Sequence, residues 1–258
     1  MLDTRPPSPL KYIFRGDKRT LCAGIRYVNA TYVHRGTQLL RARVKGDIQN
    51  AGYVAFFDAL LDRRLSLGQT LTQAELGAVL GLSLSPMREA TTLLEAEGLV
   101  AVRRRIGITI FYPDVKFVRD TFQLRSFLER EGLRRFARNV TPAWIEKTRA
   151  EHQAIIAFVE KVDDEPTYRQ PVKTLEAGFH GGFIGAFDND EISLIYTRLQ
   201  RKMYLIRLLN PEAVGTASTV QAMREHLALV DALEQRDADL AVETLERHFK
   251  GVLHRTLG

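Results

Sequence analysis

The chain has 258 residues, enough for two modest domains. Apolar residues make up 45% and charged residues 26%, an ordinary globular balance, and no apolar run reaches the ~18 residues of a membrane span. A single cysteine, Cys22, excludes an intramolecular disulfide and a cysteine metal cluster.

The net charge of +6 is unevenly spread. Residues 1–110 carry 16 Lys/Arg against 9 Asp/Glu, whereas residues 111–258 carry 21 against 22. The positive charge therefore sits in the first half, the footprint expected of a protein that meets nucleic acid. The N-terminal MLDTRPPSPLKYIF lacks the apolar core of a signal peptide, so a cytoplasmic location is expected.

Residues 1–50 hold ten basic and three acidic residues, the run Pro6-Pro7-Ser8-Pro9 and no period. They read as a basic N-terminal extension: an arm that contacts DNA, or the product of a translation start placed too far upstream. The first helix is expected from about Ala51, with Val54, Phe57, Leu60 and Leu61 packing on the next two helices. Arg63 to Thr70 reads as a turn about Gly68.

Residues 71–111 carry the clearest local pattern. Thr72 followed by Glu75 forms a capping box, and Leu76, Val79 and Leu80 give the helix one apolar face before Gly81 ends it. Ser83 or Ser85 can cap a second helix, with Pro86 in its first turn and Met87, Ala90, Leu93 and Leu94 on one face. Leu99–Val102 and Ile108–Phe111 read as short strands. Arg103, Arg104, Arg105, Ile106 and Gly107 form the basic tip between them. Together these make a winged helix-turn-helix, a unit that lays one helix in the major groove of DNA and sets a basic wing on the backbone or minor groove. Thr72, Ser83, Ser85, Pro86, Arg88, Arg103, Arg104, Arg105 and Gly107 are the candidate DNA-binding residues, and residues 51–112 the DNA-binding domain. The competing reading is a helical hairpin with an incidental basic loop.

After Tyr112 and Pro113 the chain reads as amphipathic helices over approximately 114–139, 142–162, 167–188, 190–209, 216–235 and 238–256. The fold class is mostly α: an N-terminal winged helix-turn-helix followed by an all-α six-helix bundle over 113–258.

Polar residues interrupt the apolar faces of this bundle. Glu176 and His180, at i and i+4, share a face with Phe183, Ile184 and Phe187. His226 lies with Ala222, Val230 and Leu233, and His248 with Ala241, Leu245 and Val252. Three imidazoles and a carboxylate from three helices are a ligand set for a divalent metal: zinc, nickel or manganese. The alternative is four hydrogen-bonded core residues. His34, His152 and His254 read as surface or core residues. Arg125 lies among Val118, Phe122, Leu128 and Phe136 with Glu129 one turn on. It reads either as a structural pair or as a fork for a ligand carboxylate. Arg201 and Arg207 sit on a helix that is a candidate pocket wall, with solvation as the competing reading.

These residues resemble the GntR family of bacterial transcription regulators, in the FadR-type branch with a helical FCD effector domain. The resemblance covers about residues 51–258 and is strongest at Ser83-Leu84-Ser85-Pro86-Met87-Arg88-Glu89-Ala90 and Leu94-Glu95-Ala96-Glu97-Gly98-Leu99-Val100. Phe179-His180, His226 and His248 fall on the family's three metal histidines, and Arg125 and Glu129 on the Arg-x-x-x-Glu of its first effector-domain helix. The helix count resembles the VanR-like six-helix subgroup.

The resemblance implies a homodimer, a double-stranded operator with two half-sites, a small organic carboxylate effector bound near Arg125 and Glu129, and a metal that serves binding rather than catalysis. Three positions depart from the family pattern. Ala74 and Leu84 stand where arginines commonly contact DNA, and Glu176 replaces the metal aspartate. No enzymatic activity is expected. The competing functions are a metal-dependent hydrolase using the His/Glu cluster and an effector-independent DNA-binding protein.

Overall fold

The structure is a computed structural model that describes residues 50–257; the basic N-terminal extension lies outside the described residues. Among them it contains nine α-helices and one small sheet.

The winged part opens with helix α1, Ala51–Leu61. Its first turn is fixed by Asn50, whose Oδ1 accepts from the Gly52 and Tyr53 amides at 3.0 and 3.2 Å. The buried face of α1 is Tyr53, Phe56, Phe57 and Leu60, while Val54 is 46% exposed, contrary to the expected face. The apolar run AFFDALL in α1 offers two overlapping stripes, and periodicity alone does not choose between them.

Helix α2, Gln73–Leu80, has the expected capping box: the Thr72 hydroxyl accepts from the Glu75 amide at 3.2 Å, and Glu75 Oε2 accepts from the Thr72 amide at 2.7 Å. Gly81 then turns the chain in the left-handed region, with φ of 66°. Helix α3, Leu84–Ala96, comes next, with Ser83 at its N-cap but no side-chain cap bond.

Strand β1, Thr70–Leu71, is not legible in the sequence because two residues carry no period. It joins β2, Val100–Arg103, and β3, Gly107–Ile110, in an antiparallel sheet of order β1-β3-β2. Gly107 has φ of +127°, and a Cβ there would meet the Leu71 carbonyl oxygen at 2.4 Å, so the close approach of β1 and β3 requires glycine.

Helices α4 (Val115–Ala137), α5 (Pro142–Val162), α6 (Glu165–Gly185), α7 (Asp190–Arg207), α8 (Thr216–Glu234) and α9 (Ala238–Leu257) form the second part. They are the six expected helices, with shifted ends. Helix α6 starts earlier than the sequence suggests because Pro166 is accommodated in its first turn. A 3-10 turn, Pro211–Val214, occupies the break between α7 and α8.

Phe122, Leu133, Phe179, Phe183, Leu229, Leu233, Leu245 and Phe249 are among the residues of one buried core that draws on all six helices. Helices α4 and α6 approach closely at Gly132, where a Cβ would lie 2.4 Å from the Phe183 carbonyl oxygen. That proximity brings Glu129, on α4, against His180, on α6.

Candidate metal centre and DNA-contacting surface

Of the residues read as DNA contacts, Thr72, Arg88, Arg103, Arg105 and Gly107 line one groove of the winged part. Ser83, Leu84, Ser85 and Arg88 are exposed along the first turns of α3. Leu84 is 64% exposed, an apolar side chain where the family resemblance would place an arginine. Arg103, Arg104 and Arg105 are exposed in the turn between β2 and β3, which the Ile106 amide closes onto the Arg103 carbonyl at 3.1 Å. Arg88, Arg103 and Arg105 line one groove between α3 and the wing. Glu95 fixes the wing to α3 by accepting from the Val102 amide at 3.0 Å. Thr72 and Gly107 serve local structure, one as cap and one as close contact. Pro86 is half-buried.

In the bundle, His180, His226 and His248 come together, each almost fully buried. His226 Nε2 lies 3.2 Å from His180 Nε2 and 3.3 Å from His248 Nε2. Two nitrogens bound to one ion at ~2.0–2.1 Å sit about 3.0–3.4 Å apart, so these separations fit a shared cation. Phe179 stacks on His226 with centroids 4.4 Å apart and holds the ring in plane.

The proton on each ring is fixed from behind. Glu129 Oε2 can only accept, so His180 Nδ1 donates to it, at 2.6 Å. Glu225 Oε2 likewise accepts from His248 Nδ1 at 2.7 Å. Behind His226 stands His152, whose Nδ1 donates to the Thr148 carbonyl at 2.8 Å. The His152 Nε2 of a neutral ring is then an acceptor, and His226 Nδ1 donates to it at 3.1 Å. Three neutral rings with their protons on Nδ1 leave three bare Nε2 atoms facing one another.

Burial keeps these rings neutral. It pushes His180 down to about 4, with Glu129 opposing the shift. Burial also holds His226 well below the usual histidine value, reinforced by its histidine neighbours, and lowers His248 and His152.

Glu129 is the hub behind the cluster. It accepts from Arg125 Nε, His180 Nδ1 and the Tyr196 hydroxyl, each at 2.6 Å, and is fully buried. Burial alone would raise its carboxyl, but Arg125 and His180 outweigh that and hold it at about 2. Arg125 lies with its guanidinium carbon 4.6 Å above the Phe249 ring. Glu225 repeats the pattern: it binds His248 and accepts from Arg255 at 2.8 and 2.9 Å.

Glu176 does not join the three histidines. Its Oε2 pairs with Arg207 of α7, which outweighs burial and lowers the carboxyl. The i, i+4 spacing places Glu176 beside His180 on the wheel, but its head pairs with the facing Arg207 of α7. Arg207, a candidate pocket wall in the sequence, therefore reaches the site through Glu176. Sequence reasoning missed His152 and Glu225 as members. The signal for His152 is present: it continues the buried stripe Ile145, Thr148 and Val159 of α5.

Helix α7 touches both parts of the chain. Tyr196 and Arg207 meet Glu129 and Glu176. Arg201, nearly buried, pairs with Glu97 at the end of α3, and its guanidinium carbon stands 4.5 Å above the Tyr53 ring. Tyr204 packs edge-on against Phe57 at 5.1 Å, and Leu205 belongs to the core of the winged part.

Comparison with known proteins agrees with this architecture. Residues 56–110 match the gntR family of bacterial regulatory proteins, and residues 120–251 match the FCD domain. A protein of Paenarthrobacter nicotinovorans, named as the probable transcriptional repressor of a D-xylose utilization operon, is 28% identical over 194 residues, which span 75% of this chain and 81% of that protein. The HTH-type transcriptional regulator BphR of Paraburkholderia xenovorans is 26% identical over 201 residues, 74% of this chain and 78% of its own. Among solved structures, a GntR regulator from Rhodococcus sp. RHA1 superposes with a TM-score of 0.62 at 19% identity, covering 83% of this chain and 98% of its own. E. coli McbR/YncC gives 0.58 at 17% identity, covering 85% and 98%. These two share the fold. The matched families and relatives are transcriptional regulators, not enzymes. No helix among the described residues is long and apolar enough to cross a membrane.

Proposed function

The chain belongs to the GntR family of bacterial transcription regulators with an FCD effector domain, and from that premise we propose a homodimeric, ligand-responsive repressor whose FCD domain holds a divalent metal and a small carboxylate. The observation that carries the metal reading is the convergence of three Nε2 atoms on rings whose Nδ1 protons are engaged by the groups behind them. Facing lone pairs repel, and among the described residues no protein donor stands between them, so a cation is the natural occupant. A proton is the poorer candidate because burial disfavours every imidazolium here. His180, His226 and His248 would hold the ion, and the carboxylate–histidine pairs behind two of them are the usual outer support of such ligands. Three imidazoles suit zinc or nickel better than manganese, which prefers oxygen donors.

A metal bound there would supply a Lewis-acidic centre for a carboxylate. This chain adds the positive charge of Arg125 and Arg207 beside it. The Glu176–Arg207 pair is the contact with which an incoming carboxylate competes, because a guanidinium binds either carboxylate in the same way. Helix α7 carries Arg207 at one end of the path and Arg201, paired with Glu97 of α3, at the other. An effector that rearranges the first pair thereby biases the position of α3, within the limit set by its differential affinity for the two states. The assignment as a repressor rests on the P. nicotinovorans relative.

On DNA, two copies of α3 would enter successive major grooves, with Arg88 on the duplex and Arg103 to Arg105 on the backbone. Operator binding by wild type and Arg88→Ala, with acetate and succinate as probes, tests the reading. The variant is expected to bind about tenfold more weakly, the ~1.4 kcal/mol of one good contact, with unchanged thermal stability. Operator affinity equal to wild type would remove Arg88 from the interface. Affinity insensitive to either carboxylate and to chelation would favour an effector-independent DNA-binding protein.

A further inference from the structure

We infer that His152 is the positioning residue of the histidine cluster: through the Thr148 carbonyl it fixes the tautomer of His226 and so turns the His226 Nε2 lone pair toward His180 and His248. The inference rests on the metal reading for its purpose, though not for its geometry.

His180 and His248 have carboxylates behind them, Glu129 and Glu225, and each carboxylate is balanced by an arginine, Arg125 or Arg255. Among the described residues no carboxylate stands behind His226; its Nδ1 faces the Nε2 of His152, at 3.1 Å, in a fully buried setting. Helix α5 contributes no nitrogen to the cluster itself, so His152 acts one shell out. The order of donors is forced from the far end. The Thr148 carbonyl can accept but not donate, so His152 Nδ1 carries the proton and donates to it; His152 Nε2 must then accept from His226 Nδ1.

A histidine with no partner prefers its proton on Nε2. In His226 that proton would point into the cluster and block it. His152 reverses the preference without adding a charge. A carboxylate in its place would add a further anion to a region that already holds Glu129, Glu176 and Glu225. Phe179 packs edge-on against His152 at 5.0 Å and face-on against His226, so the two rings are held in register by the same aromatic.

The experiment uses full-length protein stripped of metal and titrated with Co(II), read by its visible absorption, beside a histidine-selective nitrogen NMR measurement on the metal-free protein. In wild type the His226 proton is expected on Nδ1. In His152→Phe, which keeps the ring volume against Phe179, it is expected to move to Nε2, and Co(II) affinity to fall about 10–100-fold, the range for lost outer-shell partners. His152→Gln retains an acceptor at similar reach and is expected to restore affinity to within about threefold of wild type. An Nδ1 proton on His226 in His152→Phe, or equal Co(II) affinity in all three proteins, overturns the inference. Wild type that binds no Co(II) overturns the metal reading instead, while the NMR measurement still decides the role of His152. If His152→Phe fails to fold, an Nε2 proton on His226 in wild type is sufficient to refute it.

Discussion

Glu129→Ala is expected to destabilise the metal-free protein by about 3–5 kcal/mol, the loss typical of removing one partner from a buried ion pair. Three buried donors converge on this carboxylate: Arg125, His180 and Tyr196. Alanine leaves all three without it, and the Arg125 charge, only 4% exposed, is stranded. For a chain of this size each kcal/mol moves the midpoint by about 2–4 °C, so a drop of roughly 6–20 °C is expected in a thermal scan. Glu129→Gln keeps the volume and two polar atoms but not the charge, and should fall between alanine and wild type. The loss should exceed the sum expected from Tyr196→Phe and His180→Phe taken separately, since Arg125 is the member that solvent cannot rescue. A loss under about 1 kcal/mol for Glu129→Ala would mean that Glu129 is not the hub.

Acidification is the second large effect. Burial holds His180 at about 4, below its ordinary 6.5, so the unfolded chain takes up the proton first as pH falls. The contribution of neutral His180 is fully present above about pH 6.5, declines as pH drops through that value, and is exhausted below about 4. Its full extent is about 3 kcal/mol at ~1.4 kcal/mol per unit, of which roughly 2 kcal/mol is lost by pH 5. His226, His248 and His152 shift in the same direction and steepen the decline. Glu129 and Glu225, both held at about 2, extend it into more acid solution, because their stabilisation is lost as pH falls from 4.5. Urea unfolding midpoints of the chelator-treated protein at pH 8, 6.5 and 5 check the sign. A midpoint that is level across this range would contradict neutral, buried histidines.

Much of this arrangement is legible in the sequence. Thr72 and Glu75, Gly81, and the spacing of Met87, Ala90 and Leu94 are local signals, and local signals fix helix ends and faces. Glycine and proline mark most of the bundle breaks for the same reason. His180, His226 and His248 are legible because a histidine on an apolar stripe is conspicuous, and their three stripes meet in one core. Where each polar head turns is not written locally. Glu176 shares the stripe of His180, yet it pairs with Arg207, and only the packing of α7 against α6 makes that partner available. His152 is on a buried stripe too, but its role depends on a ring 74 positions away. Helix α1 shows the complementary failure: a segment rich in apolar residues has a periodicity without a unique face, and Val54 emerges outside. Strand β1 exists because β3 offers it an edge, a property of the fold rather than of Thr70 and Leu71.

The most direct test of the metal centre is elemental analysis of the purified protein beside His226→Ala. His226 is the middle of the three, the ring whose Nε2 lies 3.2–3.3 Å from both others. Wild type is expected to carry roughly one divalent ion per chain, and the variant to carry none after the same dialysis while remaining folded. Wild type that stays free of metal when saturated with zinc and nickel, or a variant that retains as much metal as wild type, would contradict the assignment of His180, His226 and His248 as its ligands.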